Sequence, residues 1–579
     1  MALARAAGLY RVALRTQWEA VRVLSHAAAG GELPAGEQTA QGDDLEMARR
    51  DRPLRPPAAP SAPAPRVHRS EPLGVSFPSR EQVALNKALT ACGTVSGVLA
   101  LVAERVDVLN CVNVSTALLA IQRRRSELET AEWLKGDPRF RSILKVARRQ
   151  MERDAMDTQA LSNVLYVCGE LGTKPPPSWM AVYWDASAVA LESFVPQALS
   201  NTLYACHKLE LTPPPGWLAR YWEACAAKVG EFNAQDCSNT VYACGQLGIR
   251  PPDFWLERFW VSSAGTMASF ISQDLCNTIY ACGLLSITPP GDWLERYWAY
   301  TAAKLGEYEA QHYSSTLYAC RQLGITPPPD WLLCFSDASG PKLSGFEPQA
   351  LSVVVAACAQ LDAKPPASWM ARFSDAYELV LHGAGNQDFA NTSLALAMLA
   401  AWELPVWRSL WEHVCGCLPR DSGEWSAENI LHARQLYQVF QAAEAHKPGL
   451  LTAPNPELLA AARQAWICQG LDDEVNVSSQ LHADVSAALA RMGVAHANER
   501  WCERAERSID IVVEGGTTPV ALEVDGPHHF LQDGRPDGST LLRNRMLTAH
   551  GWRVVVVDHR AWRDQSQPEQ EHYLRRLLA

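Results

Sequence analysis

Hydrogen-bonding side chains recur in this 579-residue chain at one fixed interval. Gln159, Gln197, Gln235, Gln273, Gln311, Gln349 and Gln387 are 38 residues apart, and Tyr166, Tyr204, Tyr242, Tyr280 and Tyr318 keep the same step. Within one unit Gln197, Asn201, Tyr204 and Lys208 follow at i, i+4, i+7 and i+11. On a helix they form a polar stripe opposite the apolar stripe of Leu199, Leu203 and Cys206. The chemistry offered there is recognition through amide, phenol and amine groups. A second concentration of reactive groups lies near the C-terminus: Asp510, the run Glu523-Val524-Asp525, and the pair His528-His529. Carboxylates of this kind are hard oxygen donors, able to hold a divalent cation.

The elements that position the first group are legible from the same period. Trp179, Trp217, Trp255, Trp293, Trp331, Trp369 and Trp407 share it, so the chain is a tandem array. Each unit reads as two helices: one over Gln197–Leu209, a stop at Thr212–Pro215, and a second from Gly216-Trp217-Leu218 through Trp222. Helices of about 13 residues are roughly 20 Å long. A single hairpin cannot hide its apolar face, so neighbours must stack into an α-solenoid. The cysteines of one register (Cys168, Cys206, Cys244, Cys282, Cys320 and Cys358) and the tryptophans read as packing residues.

The flanks differ in texture. Residues 1–30 interleave Arg5, Arg11, Arg15 and Arg22 with Ala, Leu and Val, the form of an organelle transit peptide. Residues 31–80 are rich in Pro and Ala and read as a disordered linker. Residues 81–156 form a helical basic entry segment with a degenerate unit at Val112–Leu119, and the seven repeats occupy 157–420. A helical connector over 421–476 leads to a small α/β domain over 477–579. In that domain a helix is expected over 478–494, strands over Ser508–Val513, Pro519–Val524 and Trp552–Val557, and a helix over Ser539–His550. No apolar run is long enough for a membrane span. The 16 cysteines show no paired zinc spacing and fit a reducing intracellular compartment.

Two resemblances follow from these residues. The unit PQ-x-LSN-x-LYAC-x-x-L-x-x-TPPP-x-W closely resembles the octotricopeptide repeat of algal organelle proteins. The match covers about 157–420 and departs late, where Ala356 and Leu394 replace Tyr and where Ser315 and Val353 replace Asn. The block Leu522-Glu-Val-Asp-Gly-Pro-His-His-Phe530, with Thr540, Arg543, Arg545 and Gly551-Trp552-Arg-Val-Val, resembles the RAP domain. Together they imply a mainly α protein, an α-solenoid followed by a small nuclease-like domain. They further imply binding of single-stranded organellar RNA and a place in the chloroplast or, alternatively, the mitochondrion. The expected role is post-transcriptional, in stability, processing, splicing or translation of specific transcripts, with other proteins of an RNA-processing complex as further expected partners.

The resemblance also locates candidate residues. Base reading is expected from registers that vary between units. One is the residue after the repeated Gln, which gives Asp236, Asp274, His312 and Asp388. The other lies at the end of the first helix, with Glu170, Lys208, Gln246, Gln322 and Gln360. Asn163, Asn201, Asn239 and Asn277 would hold the backbone or one another, and Arg543 and Arg545 would serve RNA in the last domain. In nuclease-like relatives of that domain, an Asp on one strand and a Glu on the next hold a divalent metal, and a lysine two residues after the Glu helps activate water. Asp510, Glu523 and Asp525 fall at these places, but the lysine position is Asp525, which removes the cationic partner. Metal-dependent RNA cleavage is therefore the alternative, a protein-binding scaffold a further one, and no cofactor is required unless that domain is catalytic.

The chain is acidic, with 52 Lys+Arg against 63 Asp+Glu, which counts against the plainest nucleic-acid signature. Residues 157–420 hold 14 basic and 24 acidic side chains, whereas 121–153 hold 10 and 5. If RNA binds, its phosphates are expected at the entry segment and its bases along the repeats.

Overall fold

The computed structural model describes residues 78–128, 130–419, 425–475, 480–514 and 518–579. The expected transit peptide, and the expected linker up to residue 77, lie outside the described residues. Helices α1 (Arg80–Ala91), α2 (Val95–Glu104), α3 (Cys111–Gln122), α4 (Ala131–Gly136) and α5 (Pro138–Met151) form the entry segment. Seven helix pairs follow: α6 (Thr158–Glu170) with α7 (Pro177–Ala190), α8 (Pro196–Lys208) with α9 (Pro215–Lys228), α10 (Ala234–Leu247) with α11 (Asp253–Thr266), α12 (Ser272–Leu285) with α13 (Gly291–Ala302), α14 (Ala310–Leu323) with α15 (Pro329–Ser339), α16 (Pro348–Gln360) with α17 (Ala367–Val380), and α18 (Asn386–Met398) with α19 (Trp407–Gly416). Among the described residues, no helix is long and apolar enough to cross a membrane.

Two devices set the spacing between units. The first helices touch directly, and a Cβ on Gly283 would lie 2.9 Å from the Ala319 Cα of the next unit. The second helices are tied through their tryptophans, each at most 3% exposed from Trp179 to Trp407. The Trp217 Nε1–H donates to Ser187 Oγ of the preceding unit, Trp293 to Ser263, Trp331 to Thr301 and Trp369 to Ser339, each at 2.9 Å. Trp255 donates to Cys225 Sγ at 3.0 Å. This repeated bond satisfies a buried donor in five of the six interfaces between the pairs, Trp407 donating instead to the Ala401 carbonyl at 2.8 Å, and it explains why the Trp period does not drift. The cysteine register of the first helices is buried, as its packing role requires.

Beyond the repeats, α20 (Ala427–His446) and α21 (Pro456–Val475) continue the helical stack. The last domain opens with α22 (Gln480–Arg491) and a four-stranded sheet in the order β1 (His496–Cys502), β2 (Arg507–Val513), β3 (Val520–Asp525), β4 (Arg553–Asp558). The first three strands are antiparallel, and β4 runs parallel to β3 after a crossover through α23 (Gly538–Ala549). Short α24 (His559–Arg563) and α25 (Gln567–Leu578) end the chain. Strand β1 was not expected, because His-Ala-Asn-Glu-Arg-Trp-Cys lacks apolar alternation; it is an edge strand whose centre faces solvent.

The domain is docked on the solenoid. Leu531, Leu542 and Met546 join the core of the repeats. Gln532 N–H donates to the Gly324 carbonyl at 2.8 Å, and Gln532 Nε2 to the Leu323 carbonyl at 2.7 Å. Tyr437 and Arg463 hold the Glu506 carboxylate, and Trp466 Nε1 donates to the Glu506 carbonyl at 2.7 Å. At the closest point a Cβ on Gly538 would lie 2.0 Å from the Ala359 carbonyl oxygen, so only glycine fits.

Candidate nucleic-acid interface

The first helices turn one face inward against their neighbours and one face to solvent. On α8 the exposed and half-buried positions are Gln197, Asn201, Tyr204 and Lys208, while Ala198, Leu199, Thr202, Leu203, Ala205 and Cys206 are buried. The same pattern holds on α6, α10 and α12, so the stripe runs unbroken across adjacent units. Asn163 Nδ2 donates to Ser115 Oγ at 3.1 Å, in the degenerate entry unit. Asn201, Asn239 and Asn277 lie half-buried on the stripe and are not bonded to one another.

Tyrosines run beside these amides. The Tyr204 and His207 rings meet edge-on at 6.0 Å, His207 and Tyr242 at 5.6 Å, and Tyr280 and Tyr318 lie 5.8 Å apart. Burial raises the Tyr242 phenol to about 12, so it stays a neutral donor. The tyrosine rings are the part of the surface that reading by varying residues passes over, and buried His207 packs between two of them. The constant 38-residue phase of the tyrosines was the available signal.

One expected reading register has a different task. Asp236 Oδ2 accepts from Asn233 N–H at 3.2 Å, Asp274 Oδ2 from Ile271 N–H at 3.2 Å, and Asp388 Oδ2 from Gly385 N–H at 3.0 Å. His312 Nδ1 accepts from Glu309 N–H at 3.0 Å. These side chains reach back to close the first turn of their own helices, the reciprocal half of a capping box. Burial pushes the Asp236 and Asp388 carboxyls up and the His312 imidazole down. Of the three units with alanine there, two start on proline, at Pro196 and Pro348, where a missing N–H costs nothing, and in the third the Asp157 side chain accepts from Ala160 N–H at 2.7 Å. The variation therefore follows helix starts, which corrects the assignment of these four residues to base reading.

The helix-end register divides. Glu170 is bridged by Arg125 of the entry segment at 3.1 Å, and the Lys208 ammonium lies 5.9 Å over the Tyr204 ring. Gln246 is half-buried and Gln322 exposed on the same stripe. Gln360 is taken by the last domain, its Nε2 donating to Asp537 Oδ2 at 2.5 Å. Arg545, expected on RNA, instead donates through Nη2 to the Met398 carbonyl at 2.5 Å and to the Ala397 carbonyl at 3.2 Å. The cation caps the C-terminus of α18, where the helix dipole favours it. Gln360 and Arg545 are thus docking residues.

Charge is sorted between the two layers. Asp185, Glu223, Glu257, Glu295, Asp337 and Asp375 sit exposed on the second helices. The stripe holds one acid, Glu170, already paired with Arg125. Of the 24 acids in 157–420, 11 lie on the second helices and 9 in the connecting segments, and the other first-helix acids, Asp236, Asp274 and Asp388, are turned back onto their own helix starts.

In the last domain the expected metal carboxylates are brought together and then neutralised. Asp510 and Glu523 are cross-strand neighbours, one step from the pair Ile511 and Leu522. Asp525 and Glu523 are buried, and Arg543 from α23 lies across both. Its Nη2 is 2.9 Å from both Asp525 oxygens and its Nη1 is 3.3 Å from Glu523 Oε2. Burial raises the Glu523 carboxyl to about 8 against the pull of Arg543. A guanidinium in this position leaves no room for a divalent ion between Glu523 and Asp525, so these residues do not fit the metal of nuclease-like relatives. Arg543, expected on RNA, is the partner of that buried pair. His529 Nδ1 lies 3.7 Å from Asp525 Oδ1 and 3.2 Å from Thr540 Oγ1.

Comparison with known families agrees with this division. Residues 522–577 match the RAP domain family. Residues 110–280 match the C-terminal domain of the Tbc2 translation factor, and residues 256–404 match its N-terminal domain. A protein of rice (Oryza sativa subsp. japonica) described as "RAP domain-containing protein, chloroplastic" is 24% identical over 190 residues, which cover 32% of this chain and 29% of that relative. The chain therefore carries a C-terminal RAP domain docked on a solenoid of octotricopeptide-like repeats of the Tbc2 type.

Proposed function

We propose that this chain is an organellar, most simply chloroplast, RNA-binding factor that acts post-transcriptionally on one or a few transcripts. The observation that carries the reading is the continuous amide and tyrosine stripe on the first helices from α6 to α14, where the acid it holds, Glu170, is paired with Arg125. Bases of a single strand stack on aromatic side chains and offer their edges to amides. Tyr204, Tyr242, Tyr280 and Tyr318 supply the first contact, and Asn201, Asn239 and Asn277 the second. Glu170, Lys208, Gln246 and Gln322 vary along the same stripe and set preference between bases. The basic segment 121–153 receives phosphates at one end, and the docked RAP domain bounds the stripe at Gln360. A role in translation accords with the description of the Tbc2 family, and chloroplast residence with that of the rice relative.

RNA recovered with the tagged chain from isolated chloroplasts and sequenced tests the reading. Enrichment of one or a few chloroplast transcripts is expected. Recovery of proteins with no enriched RNA would replace it with a scaffold, and enrichment of nuclear-encoded RNA would remove the localisation as well. Exchanging Lys208 with Gln246 should change the preferred RNA sequence; an unchanged preference would remove that register from recognition.

A further inference from the structure

Arg543 removes Glu523 and Asp525 from metal chemistry, but Asp510 faces a second set of donors. His482 on α22 and Glu499 on β1 converge with it, and one ligand atom of each of the three lies within 4.8 Å of the others. His482 Nδ1 is 2.9 Å from Glu499 Oε1, with the imidazole 6% exposed and the glutamate side chain 36% exposed. The pairs Asn498 with Ile511 and Arg500 with Ile509 flank Glu499, so it lies opposite Asp510 in the ladder. Glu499 itself has φ 50°, a left-handed conformation inside a strand that costs roughly 1–2 kcal/mol in a non-glycine residue. Asp510 Oδ2 accepts from Val524 N–H at 2.7 Å, which orients the carboxylate and leaves its other oxygen for a ligand bond.

We infer that His482, Glu499 and Asp510 form a binding site for one divalent transition-metal ion. Metal–nitrogen and metal–oxygen bonds of about 2.0–2.2 Å place neighbouring ligand atoms roughly 3 Å apart, the separation already present between His482 and Glu499. The Asp510 carboxylate lies within 4.8 Å of both and needs only a small approach to complete the set. A neutral imidazole with two carboxylates balances a dication. One nitrogen and two oxygens favour Mn2+ or Zn2+ over Mg2+, which prefers oxygen and water alone. The ion would fasten the N-terminal helix of the RAP domain to its first two strands. The site shares Asp510 with the carboxylate arrangement of nuclease-like relatives, but its other ligands come from the opposite side, β1 and α22 instead of β3.

The inference stands apart from RNA binding, and its test uses the metal alone. Full-length chain stripped with EDTA and titrated with MnCl2 should take up one equivalent, read by the loss of the free-ion Mn2+ paramagnetic resonance signal. Zinc should raise its Tm. Glu499→Gln, at a partly exposed position, and His482→Gln should each weaken Mn2+ uptake at least tenfold and abolish the zinc-dependent Tm rise. Glu523→Gln should leave both intact. No stoichiometric Mn2+ or Zn2+ in the unaltered chain, or uptake unchanged by Glu499→Gln, would overturn the site and leave His482–Glu499 as an ordinary hydrogen-bonded pair. Uptake lost in Glu523→Gln but kept in Glu499→Gln would return the metal to β3 and overturn it equally.

Discussion

Ala400 has φ 49°, and it stands in a register that every repeat uses to leave its first helix: Gly172, Glu210, Gly248, Ser286, Gly324, Asp362 and Ala400 all have positive φ. Where the unit has glycine the conformation is free of strain; where it has alanine the Cβ meets backbone. Ala400→Gly should therefore stabilise the chain by up to about 1 kcal/mol in chemical denaturation. At Glu523 the relevant quantity is a proton. Its folded carboxyl lies near 8 against an ordinary 4.5 because burial disfavours its charge. Between those values the folded chain keeps a proton that the unfolded chain has released, so this residue's contribution is fullest below the lower value and falls as pH rises through the upper one. The Tm of Glu523→Gln should lose that downward slope between about pH 5 and 8. Equal slopes in both proteins would mean that Arg543 keeps Glu523 ionised.

The first helix of each repeat has two faces with separate duties, and variants should separate them. Tyr242 projects to the half-exposed side, away from the buried Val241, Ala243 and Cys244. Base stacking on one aromatic is worth about 1–3 kcal/mol. Tyr242→Ala should thus weaken RNA binding by roughly 5- to 150-fold at constant salt, with Tyr242→Phe close to the unaltered chain. A loss in both variants would point to the hydroxyl; a loss in neither would take this ring off the RNA path. The second helix has no comparable freedom, since its tryptophan and the hydroxyl or thiol 30 residues earlier are both consumed in the interface. That constraint explains why the Trp register is constant while the helix-end register varies.

Over the whole molecule, repeats and RAP domain share buried surface, and Gly538 is where their backbones come closest. Gly538→Val should undock the domain. Small-angle scattering should then show a more extended particle, and the single unfolding transition should split. Charge also acts at this scale. With an acidic excess over 157–420 and bases concentrated in 121–153, RNA affinity should depend weakly on salt. Replacing Arg123, Arg124, Arg148 and Arg149 with glutamine should make the dependence weaker still, measured as the slope of log affinity against log salt.

The period of 38 residues, the two helices per unit, the packing roles of Trp and Cys and the polar stripe were all legible in the sequence. Each follows from local periodicity and from apolar burial. Strands β2, β3 and β4 were legible for the same reason, but β1 was not, because an edge strand need not alternate. Tertiary structure alone decided what individual polar groups do. Asp236 looks like a reader by its variability and is a helix cap. Arg545 looks like a phosphate ligand and closes α18. Arg543 restores, from a distant helix, the positive charge missing at Asp525. A hydrogen-bonding side chain reports its capacity in the sequence, but its partner depends on which backbone ends and charges the packed elements bring within 3 Å or so. For the same reason the acidic composition, which at first opposed RNA, says little about the stripe itself, where Glu170 is paired with Arg125 and Asp236 and Asp274 are buried in helix starts.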